Sequence, residues 1–446
     1  ILFVVMNSSL VNGGTEEEEK QRSWLENLLK EKKGKRIFLF SHYPPFICQE
    51  FESEHYDNYA EPGRHWLLDL AVFANVEAII SGHVHHFFLN EHKGIKLYCL
   101  PATSFTRQDF SAIFRGLPTN EFGRDDTGKF GVTIFNVKEN GHEFKWIPTH
   151  GKEAINDKKS QEEKNKPLLQ IPNLIPSLRH DWCQSTTMPA NGPMEEFTRK
   201  VTRNDYPILR LKQLGIKKVR VPLVDFLDPV SAARIHLLSG FGIKAVVFFS
   251  GNISKKDFKT LTNMNENIYA IEVISRDIPL SILEMLRDTD WPVWYSKIST
   301  SANQSDDTKP FNISVSTGCM AEEIGELTSN LAEISPIKDL RLMVQCPWQG
   351  DYMVSSIQEI VNDWNYIKND VVKLAINVRL APSNPAKENV DSIAMAQTIR
   401  GVQSIAENNP KVEFILDTFE AFDRGYHPRL GLIDTLSNIS DWYPQQ

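Results

Sequence analysis

The C-terminal part of the chain alternates short strands with amphipathic helices at a regular spacing, and this repeat constrains the fold more than any other feature. The apolar runs that predict strands are Lys218–Leu223, Ala245–Phe249, Ile268–Ile274, Val293–Ile298, Asn312–Ser316, Arg341–Gln345, Val371–Val378 and Val412–Leu416. Eight strands with intervening helices over about 270 residues match a (β/α)8 barrel in number and length. A doubly wound open sheet is the alternative, but it usually has fewer strands and a Gly-rich first turn that this segment lacks.

A polar segment followed by prolines separates this part from the rest of the chain. Residues 151–166 are almost wholly polar, and Pro167, Pro172 and Pro176 follow them. This composition is typical of a linker. We therefore predict a first domain at 1–150, a linker at 151–174 and a barrel domain at 175–446. Two domains also fit the length of 446 residues, which exceeds that of an average single domain.

The first 150 residues predict a different architecture, in which helix-flanked strands give way to short strands joined by hairpins. Ile37–Phe40 and Glu77–Ile80 are apolar runs that indicate buried strands. Thr15 and Glu18 have the spacing of a capping box at the start of a helix. Beyond residue 87, short apolar runs punctuated by glycine-containing dipeptides predict hairpins. This succession favours a layered α/β sandwich.

Composition excludes several classes of partner and leaves others open. The formal net charge of −8 and the pI of about 5.9 provide no basic footprint for nucleic acid. No apolar run approaches the ~20 residues that span a bilayer. The five cysteines are widely spaced and form no CxxC motif, so neither a zinc ribbon nor a disulfide framework is expected. Nothing in the sequence predicts the cellular compartment.

Histidines follow closely after two of the predicted strands. Ser41-His42-Tyr43-Pro44 follows the first strand, and Ser81-Gly82-His83-Val84-His85-His86 follows the second. A lone histidine is more often structural, but His83 and His85 are separated by one residue, so a single loop can present both rings. Imidazole is a preferred ligand of transition metals, and strand ends on a rigid sheet hold ligands accurately. We therefore predict that His42, His83 and His85 are metal ligands, and that Gly82 permits a close backbone approach or an unusual φ.

These blocks carry a resemblance to a known family. The segments 40–45 and 80–85 resemble the last two metal-binding blocks of the calcineurin-like metallophosphoesterases, and Gln21 with the run Trp24–Leu29 resembles that family's QxxWLxxxL helix. The resemblance covers about residues 1–150, the C-terminal half of such a domain. It implies two divalent transition-metal ions (Zn, Mn or Fe), with His42 and His83 on one ion and His85 on the other. Two such ions clamp a phosphate and lower the pKa of a bridging water.

The resemblance also implies groups that this sequence does not contain. The family's earlier blocks, which hold a bridging aspartate and an acid histidine, are expected upstream of Ile1, and no displaced copy occurs elsewhere. We therefore expect a fragment of a phosphoesterase that is inactive or very weakly active on its own, with its catalytic residues unknown. Tyr43, Arg64 and Arg107 are the candidates for contact with a phosphomonoester or phosphodiester substrate.

The barrel has its own candidate residues, because barrel enzymes place their chemistry at the C-terminal ends of strands. Glu272, Asp417 and Glu420 are expected there, among polar and aromatic neighbours that would suit a sugar or another polyol. The run 211–222 resembles the first strand of barrel glycoside hydrolases. The carboxylates that this family carries after strands four and seven are absent, so Glu272 with Asp417 would form a nonstandard pair.

Three hypotheses follow for the function. The first is a metal-dependent phosphoesterase whose barrel recognises the substrate, a small phosphate ester or polyol-type molecule. The second is a carbohydrate-active or carbohydrate-binding barrel with a remnant phosphoesterase domain. The third is a noncatalytic binding protein that has lost its metal site. Tight binding of two transition-metal ions favours the first hypothesis, and activity of residues 175–446 alone favours the second.

Overall fold

The computed structural model describes residues 1–104, 106–107, 127–149, 167–179, 182–183, 185–188, 199–300, 315–334, 337–367, 369–380, 392–421 and 431–445. The chain divides into two compact units, one formed by Ile1–Lys166 with Cys183–Leu209 and the other by Pro167–Trp182 with Arg210–Gln446. Most of the predicted linker, 151–166, lies outside the described residues, so that assignment stays a prediction. Among the described helices, none combines the length and the apolar character needed to cross a membrane.

The first unit contains a five-stranded mixed sheet. Its strands are β1 (Leu2–Val5), β2 (Ile37–Phe40), β3 (Val76–Ser81), β4 (Phe88–His92) and β5 (Ile95–Cys99). They lie in the order β1-β2-β3-β5-β4, with β4 antiparallel to β5 and all other neighbours parallel. Helices α1 (Glu16–Glu31) and α2 (Gly63–Phe73) pack against this sheet. The core between them includes Leu25, Leu29, Leu39, Leu67 and Ile79, all almost fully buried.

This unit also contains two antiparallel strand pairs. One is formed by β6 (Gly131–Lys138) and β7 (Gly141–Pro148), and the other by β9 (Ser185–Thr187) and β10 (Val201–Arg203). The first hairpin packs on the sheet, because the Tyr98 ring of β5 lies 5.1 Å from the Phe135 ring centroid and 5.4 Å from that of Phe144. The layered α/β sandwich stays a prediction for this unit.

Helix α1 begins with a cap that differs from the predicted capping box. Thr15 caps the helix as expected, since its hydroxyl accepts a 3.2 Å hydrogen bond from the Glu18 amide. The Glu18 carboxylate instead accepts hydrogen bonds from the amides of Asn12 (2.7 Å) and Gly14 (2.8 Å). Glu18 therefore fixes the loop before the helix as well as the helix start.

The second unit is a barrel of eight parallel strands that is nearly closed. The strands are β8 (Leu174–Pro176), β11 (Lys218–Pro222), β12 (Lys244–Ser250), β13 (Ile268–Ser275), β14 (Val293–Thr300), β16 (Arg341–Cys346), β17 (Lys373–Arg379) and β18 (Glu413–Asp417). From β11 to β18 each strand pairs with the next in this order, and β18 pairs with β8. The last seam joins β8 to β11 through a bridge between Ser177 and Arg220 and a 2.8 Å hydrogen bond from the Leu178 amide to the Arg220 carbonyl.

Helices connect the barrel strands, and an apolar layer fills the interior. The helices are α3 (Tyr206–Gln213), which contains the boundary between the units, α4 (Val224–Leu227), α5 (Pro229–Gly240), α6 (Lys255–Asn263), α7 (Leu280–Arg287), α8 (Ile324–Ala332), α9 (Met353–Ile367) and α10 (Ser392–Asn408). The layer takes one residue from each of seven strands: Ile175, Val246, Ala270, Trp294, Met343, Ala375 and Ile415. Such layers are typical of (β/α)8 barrels.

One of the predicted barrel strands was wrong. Of the run Asn312–Ser316, the described part belongs to β15 (Val315–Thr317), which pairs antiparallel with the end of β14 and lies outside the closed circuit. The eighth barrel strand is instead β8, whose first residue, Leu174, falls within the predicted linker. β8 is only three residues long and stands among prolines, so its local composition is typical of a linker. It forms a strand because it pairs with β18.

Candidate functional site

His42 and His83 lie together at one edge of the sheet in the first unit. His42 follows β2 and His83 follows β3, and these neighbouring strands run parallel. Their carboxyl ends therefore meet at the same edge, where His42 Nε2 lies 3.1 Å from His83 Nδ1. The other ring nitrogen of His83 lies 3.1 Å from the Tyr56 carbonyl oxygen. The His42 side chain is exposed, whereas only 7% of the His83 side chain is exposed.

The loop after β3 holds both of its first histidines in an uncommon backbone conformation. His83 has a φ of 66° and His85 a φ of 56°, in the left-handed region that residues with a Cβ rarely adopt. Gly82 does not occupy this region, and a Cβ added there would meet no atom within 4 Å. The strained positions are thus the histidines and not the glycine that the sequence suggested. Such strain often marks a functional site.

Burial keeps the imidazoles of this loop neutral. It lowers the pKa of His83 to about 4, although the nearby Asp57 carboxylate acts in the opposite direction. Burial also lowers the pKa of His85, and the positive charge of Arg107 adds to the effect. The neutral imidazole is the form whose nitrogen lone pair can bind a metal ion.

A buried ionic cluster lies beside His83. The Asp57 side chain is fully buried and accepts a 2.7 Å hydrogen bond from Lys200 Nζ, and it also forms an ion pair with Arg107. Asp57 Oδ1 lies 3.6 Å from His83 Nε2. Neither Asp57 nor Lys200 is predicted from the sequence as part of the site, because they stand 143 positions apart and no local pattern links them.

The three residues predicted to contact substrate lie in different surroundings. Tyr43 packs against the histidines, with its ring centroid 4.1 Å from that of His83. Arg107 belongs to the ionic cluster, and its guanidinium carbon lies 5.6 Å from the Tyr56 ring centroid. Arg64 has only 1% of its side chain exposed. It donates hydrogen bonds of 2.8–3.0 Å to the carbonyls of Glu50, Glu52 and Tyr59, so it fixes the 50–59 loop.

Glu272 is enclosed within the second unit. Its carboxylate is fully buried and both oxygens are bound by Arg220, at 2.5 Å from Nε and 3.1 Å from Nη2. Ser296 donates a further hydrogen bond of 2.5 Å. The Glu272 carboxylate thus forms a charge-neutral, hydrogen-bonded group with Arg220, and its pairing with Asp417 stays a prediction.

Asp417 lies at the end of β18, and Glu420 lies three residues beyond it. Asp417 is the last residue of the strand and is half-buried. Glu420 accepts a 3.1 Å hydrogen bond from the Ser437 hydroxyl. Residues 422–430, which follow this region in the sequence, lie outside the described residues.

The histidine pair fits part of the coordination sphere of one transition-metal ion. Two imidazole nitrogens on a tetrahedral zinc ion lie about 3.4 Å apart at the usual Zn–N length, and the separation of 3.1 Å between His42 Nε2 and His83 Nδ1 is close to that value. Within the described parts of the chain, however, no three His, Cys, Asp or Glu side chains surround a common point. His42 and His83 alone therefore supply an incomplete set of ligands.

Comparison with known proteins adds little to this geometry. No protein-family model matches the sequence, and no curated protein matches it. One solved structure with a detectable likeness is GAP50, described as the anchor in the inner membrane complex of Plasmodium. It shares 17% sequence identity, and the alignment covers 34% of this chain and 47% of that chain, with a TM-score of 0.25. The chain thus spans less than half the length of that relative, and a TM-score this low carries no argument about fold or function.

Proposed function

We propose that the first unit is part of a metal-dependent phosphoesterase that hydrolyses a phosphomonoester or phosphodiester. The observation that carries the proposal is the convergence of His42 Nε2 and His83 Nδ1 to 3.1 Å at the ends of two parallel strands. The left-handed backbone at His83 and His85 supports it, because strain of this kind persists where function requires it. The motif resemblance described above supplies the reaction class.

His42 and His83 would hold one ion, and His85 would contribute to a second. Zinc, manganese or iron suits imidazole ligands, and a bound pair of such ions supplies Lewis-acid charge and a water of lowered pKa. Tyr43 packs on the His83 ring at 4.1 Å and so limits its rotation. The Tyr56 carbonyl, 3.1 Å from His83 Nε2, accepts the proton of that nitrogen and directs the Nδ1 lone pair toward His42.

Arg107 is the group best placed to contact the substrate phosphate. In the cluster beside His83, the Asp57 carboxylate pairs with two cations, Arg107 and Lys200. Lys200 has 1% of its side chain exposed, whereas Arg107 has 21% exposed. Lys200 is therefore a positioning residue that fixes Asp57, and Asp57 in turn orients the guanidinium of Arg107. A guanidinium can bind phosphate oxygens in bidentate fashion.

Calorimetric titration of the 446-residue chain with Zn²⁺ and Mn²⁺ tests the metal site. We expect binding that His42→Asn and His83→Asn each weaken at least tenfold, since even loss of a residue that only orients a ligand costs about tenfold or more. His65→Asn is the matched control, because its side chain is 43% exposed and pairs with Glu61. Equal affinities in the wild type and both site variants would overturn the proposal.

The role of Arg107 is tested separately with inorganic phosphate as the probe. We expect phosphate to bind the metal-loaded chain more tightly than the metal-free chain, and we expect Arg107→Gln to remove most of this gain while metal affinity stays unchanged. A variant that loses metal affinity together with phosphate affinity would show that Arg107 only maintains the structure of the histidine loop.

A further inference from the structure

Polar side chains form a layer directly above the apolar layer of the barrel. Alternate residues of a strand face the same side of a sheet, so the residues two positions beyond the apolar layer also face the interior. For the seven strands that contribute to the apolar layer, these residues lie at or near the C-terminal end of the strand. Six of the seven are polar: Ser177, Glu272, Ser296, Gln345, Asn377 and Asp417. The C-terminal mouth is also where (β/α)8 barrels bind their ligands.

The formal charges on one side of this layer cancel. Glu272 is bound by Arg220 through both carboxylate oxygens, and the Arg220 Nη1 group also lies 3.2 Å from the Ser177 hydroxyl. Ser296 donates to the same carboxylate. These residues form a neutral, mutually hydrogen-bonded group, so this side of the mouth does not present a free cation to an anionic ligand.

Asn377 presents a buried acceptor to the mouth. Its amide nitrogen donates to the Thr317 carbonyl at 3.2 Å and to the Thr317 hydroxyl at 3.0 Å. This fixes the orientation of the amide, because a carbonyl oxygen can only accept. The Asn377 side-chain oxygen then points away from Thr317 and, among the described residues, has no hydrogen-bond partner although the residue is 3% exposed. Native proteins rarely leave such an atom unpaired, so a donor from a ligand or water belongs there.

Asp417 adds a second set of acceptors. It ends β18, the strand next to the β17 strand that carries Asn377, and its side chain is half-buried. No hydrogen bond or ion pair from another described residue reaches its carboxylate. Trp348, two residues beyond β16, is half-buried at the same end of the barrel and offers an aromatic surface. The mouth therefore combines unsatisfied acceptors with an indole.

We propose that the C-terminal mouth of the barrel binds a neutral polyhydroxylated molecule, a sugar or cyclic polyol, through hydroxyl donors to Asn377 Oδ1 and the Asp417 carboxylate. Hydroxyl groups satisfy acceptors, whereas phosphate and carboxylate groups would be repelled by them. Sugar rings also pack their C–H faces on aromatic side chains. The site lies in the second unit and does not rest on the proposed phosphoesterase activity.

The test is ligand-observed NMR, followed by calorimetry, on the full chain with D-glucose, D-galactose, D-mannose and myo-inositol. We expect at least one of them to bind. Asp417→Asn, which keeps the shape and removes the charge, should weaken binding about tenfold or more, as loss of a charged hydrogen bond does. Asn377→Leu should abolish it. Asn362→Leu is the control, because Asn362 is exposed on α9, and it should leave the affinity unchanged.

Each other outcome overturns the proposal. Absence of binding by all four probes would mean that the Asn377 oxygen is satisfied by water alone. Binding that is unaffected by both Asp417→Asn and Asn377→Leu would place the ligand elsewhere. Exclusive binding of D-glucosamine or of glucose 6-phosphate, added as charged probes, would show that the site recognises a cation or an anion. None of these results bears on metal binding by His42 and His83, so failure here and failure of the proposed function are distinguishable.

Discussion

Lys200 Nζ donates a 2.7 Å hydrogen bond to Asp57 Oδ2 across 143 positions of sequence, and both side chains are almost completely buried. Lys200 immediately precedes β10, and Asp57 lies in the loop before α2. The pair ties a late segment of the chain to the loop that contacts His83. Lys200 therefore helps to position the loop beside His83, although it is not among the predicted metal ligands.

Replacing Lys200 should destabilise the first unit. Lys200→Met removes one of the two cations that compensate the buried Asp57 carboxylate, and breaking a buried ion pair costs about 3 kcal/mol or more. We expect a loss in the free energy of unfolding of about 3 kcal/mol, the lower end of that range, because Arg107 still pairs with Asp57. Urea denaturation measures it. Lys20→Met is the control, since its pair with Glu16 is largely exposed and should contribute at most about 0.5 kcal/mol. Equal effects of the two substitutions would contradict a structural role for the buried pair.

The left-handed backbone at His83 predicts an unusual order of tolerance. Asparagine adopts positive φ readily, whereas a β-branched residue does so at a cost of about 1–3 kcal/mol. His83→Val should therefore unfold at a lower temperature than His83→Asn, although both remove the imidazole. Gly82→Ala should change the unfolding temperature little, because the added methyl group meets no atom within 4 Å. A larger effect of Gly82→Ala than of His83→Val would contradict a left-handed backbone at His83.

Much of the site could be predicted because its determinants are local. Ile37–Phe40 was predicted as a strand with its observed bounds, and the predicted strand Glu77–Ile80 was within one residue of β3 at each end. The ends of these two strands therefore predicted where His42 and His83 lie in the fold. The buried cluster could not be predicted, since Asp57 and Lys200 are ordinary charged residues whose burial depends on tertiary contacts. The same holds for Arg64, whose three carbonyl partners all belong to one irregular loop.

The barrel shows a related limit. Its eight-stranded count was right, but one strand was misassigned, because β-branched residues in 312–316 favour a strand without specifying its partner. β8 is recognised only by its neighbours, β18 and the Ser177–Arg220 bridge. Local propensity determines whether a segment extends, and long-range pairing determines which sheet it joins.

Glu52 should make the first unit acid-sensitive. Burial opposes ionisation of its carboxyl, but hydrogen bonds from His55, Asn58 and the amides of Cys48 and Ile47 outweigh it and lower the pKa. A carboxyl whose pKa is lower in the folded state contributes stability above the unfolded pKa of about 4.3. That contribution is lost as the pH falls through the folded pKa. The free-energy difference between wild type and Glu52→Gln should therefore be largest near neutral pH, about 2 kcal/mol, and should shrink in acid.

Urea denaturation at neutral pH and at a series of acidic pH values checks this dependence. Glu54→Gln is the matched control, because Glu54 is exposed in the same loop, and it should cost less than about 0.5 kcal/mol throughout. A wild-type advantage over Glu52→Gln that does not change with pH would mean that the lost hydrogen bonds, and not the charge, account for the effect.

The Arg220–Glu272 pair should show strong energetic coupling across the interior of the barrel. Arg220→Met leaves the fully buried Glu272 carboxylate without its bidentate partner, which should cost about 3–5 kcal/mol. Glu272→Gln leaves Arg220 buried without a counter-charge and should cost a similar amount. The double variant removes both charges, so its cost should be well below the sum of the two single costs. A double-mutant cycle from urea denaturation gives the coupling energy directly. Additive costs would contradict the mutual neutralisation of Arg220 and Glu272 within the polar layer.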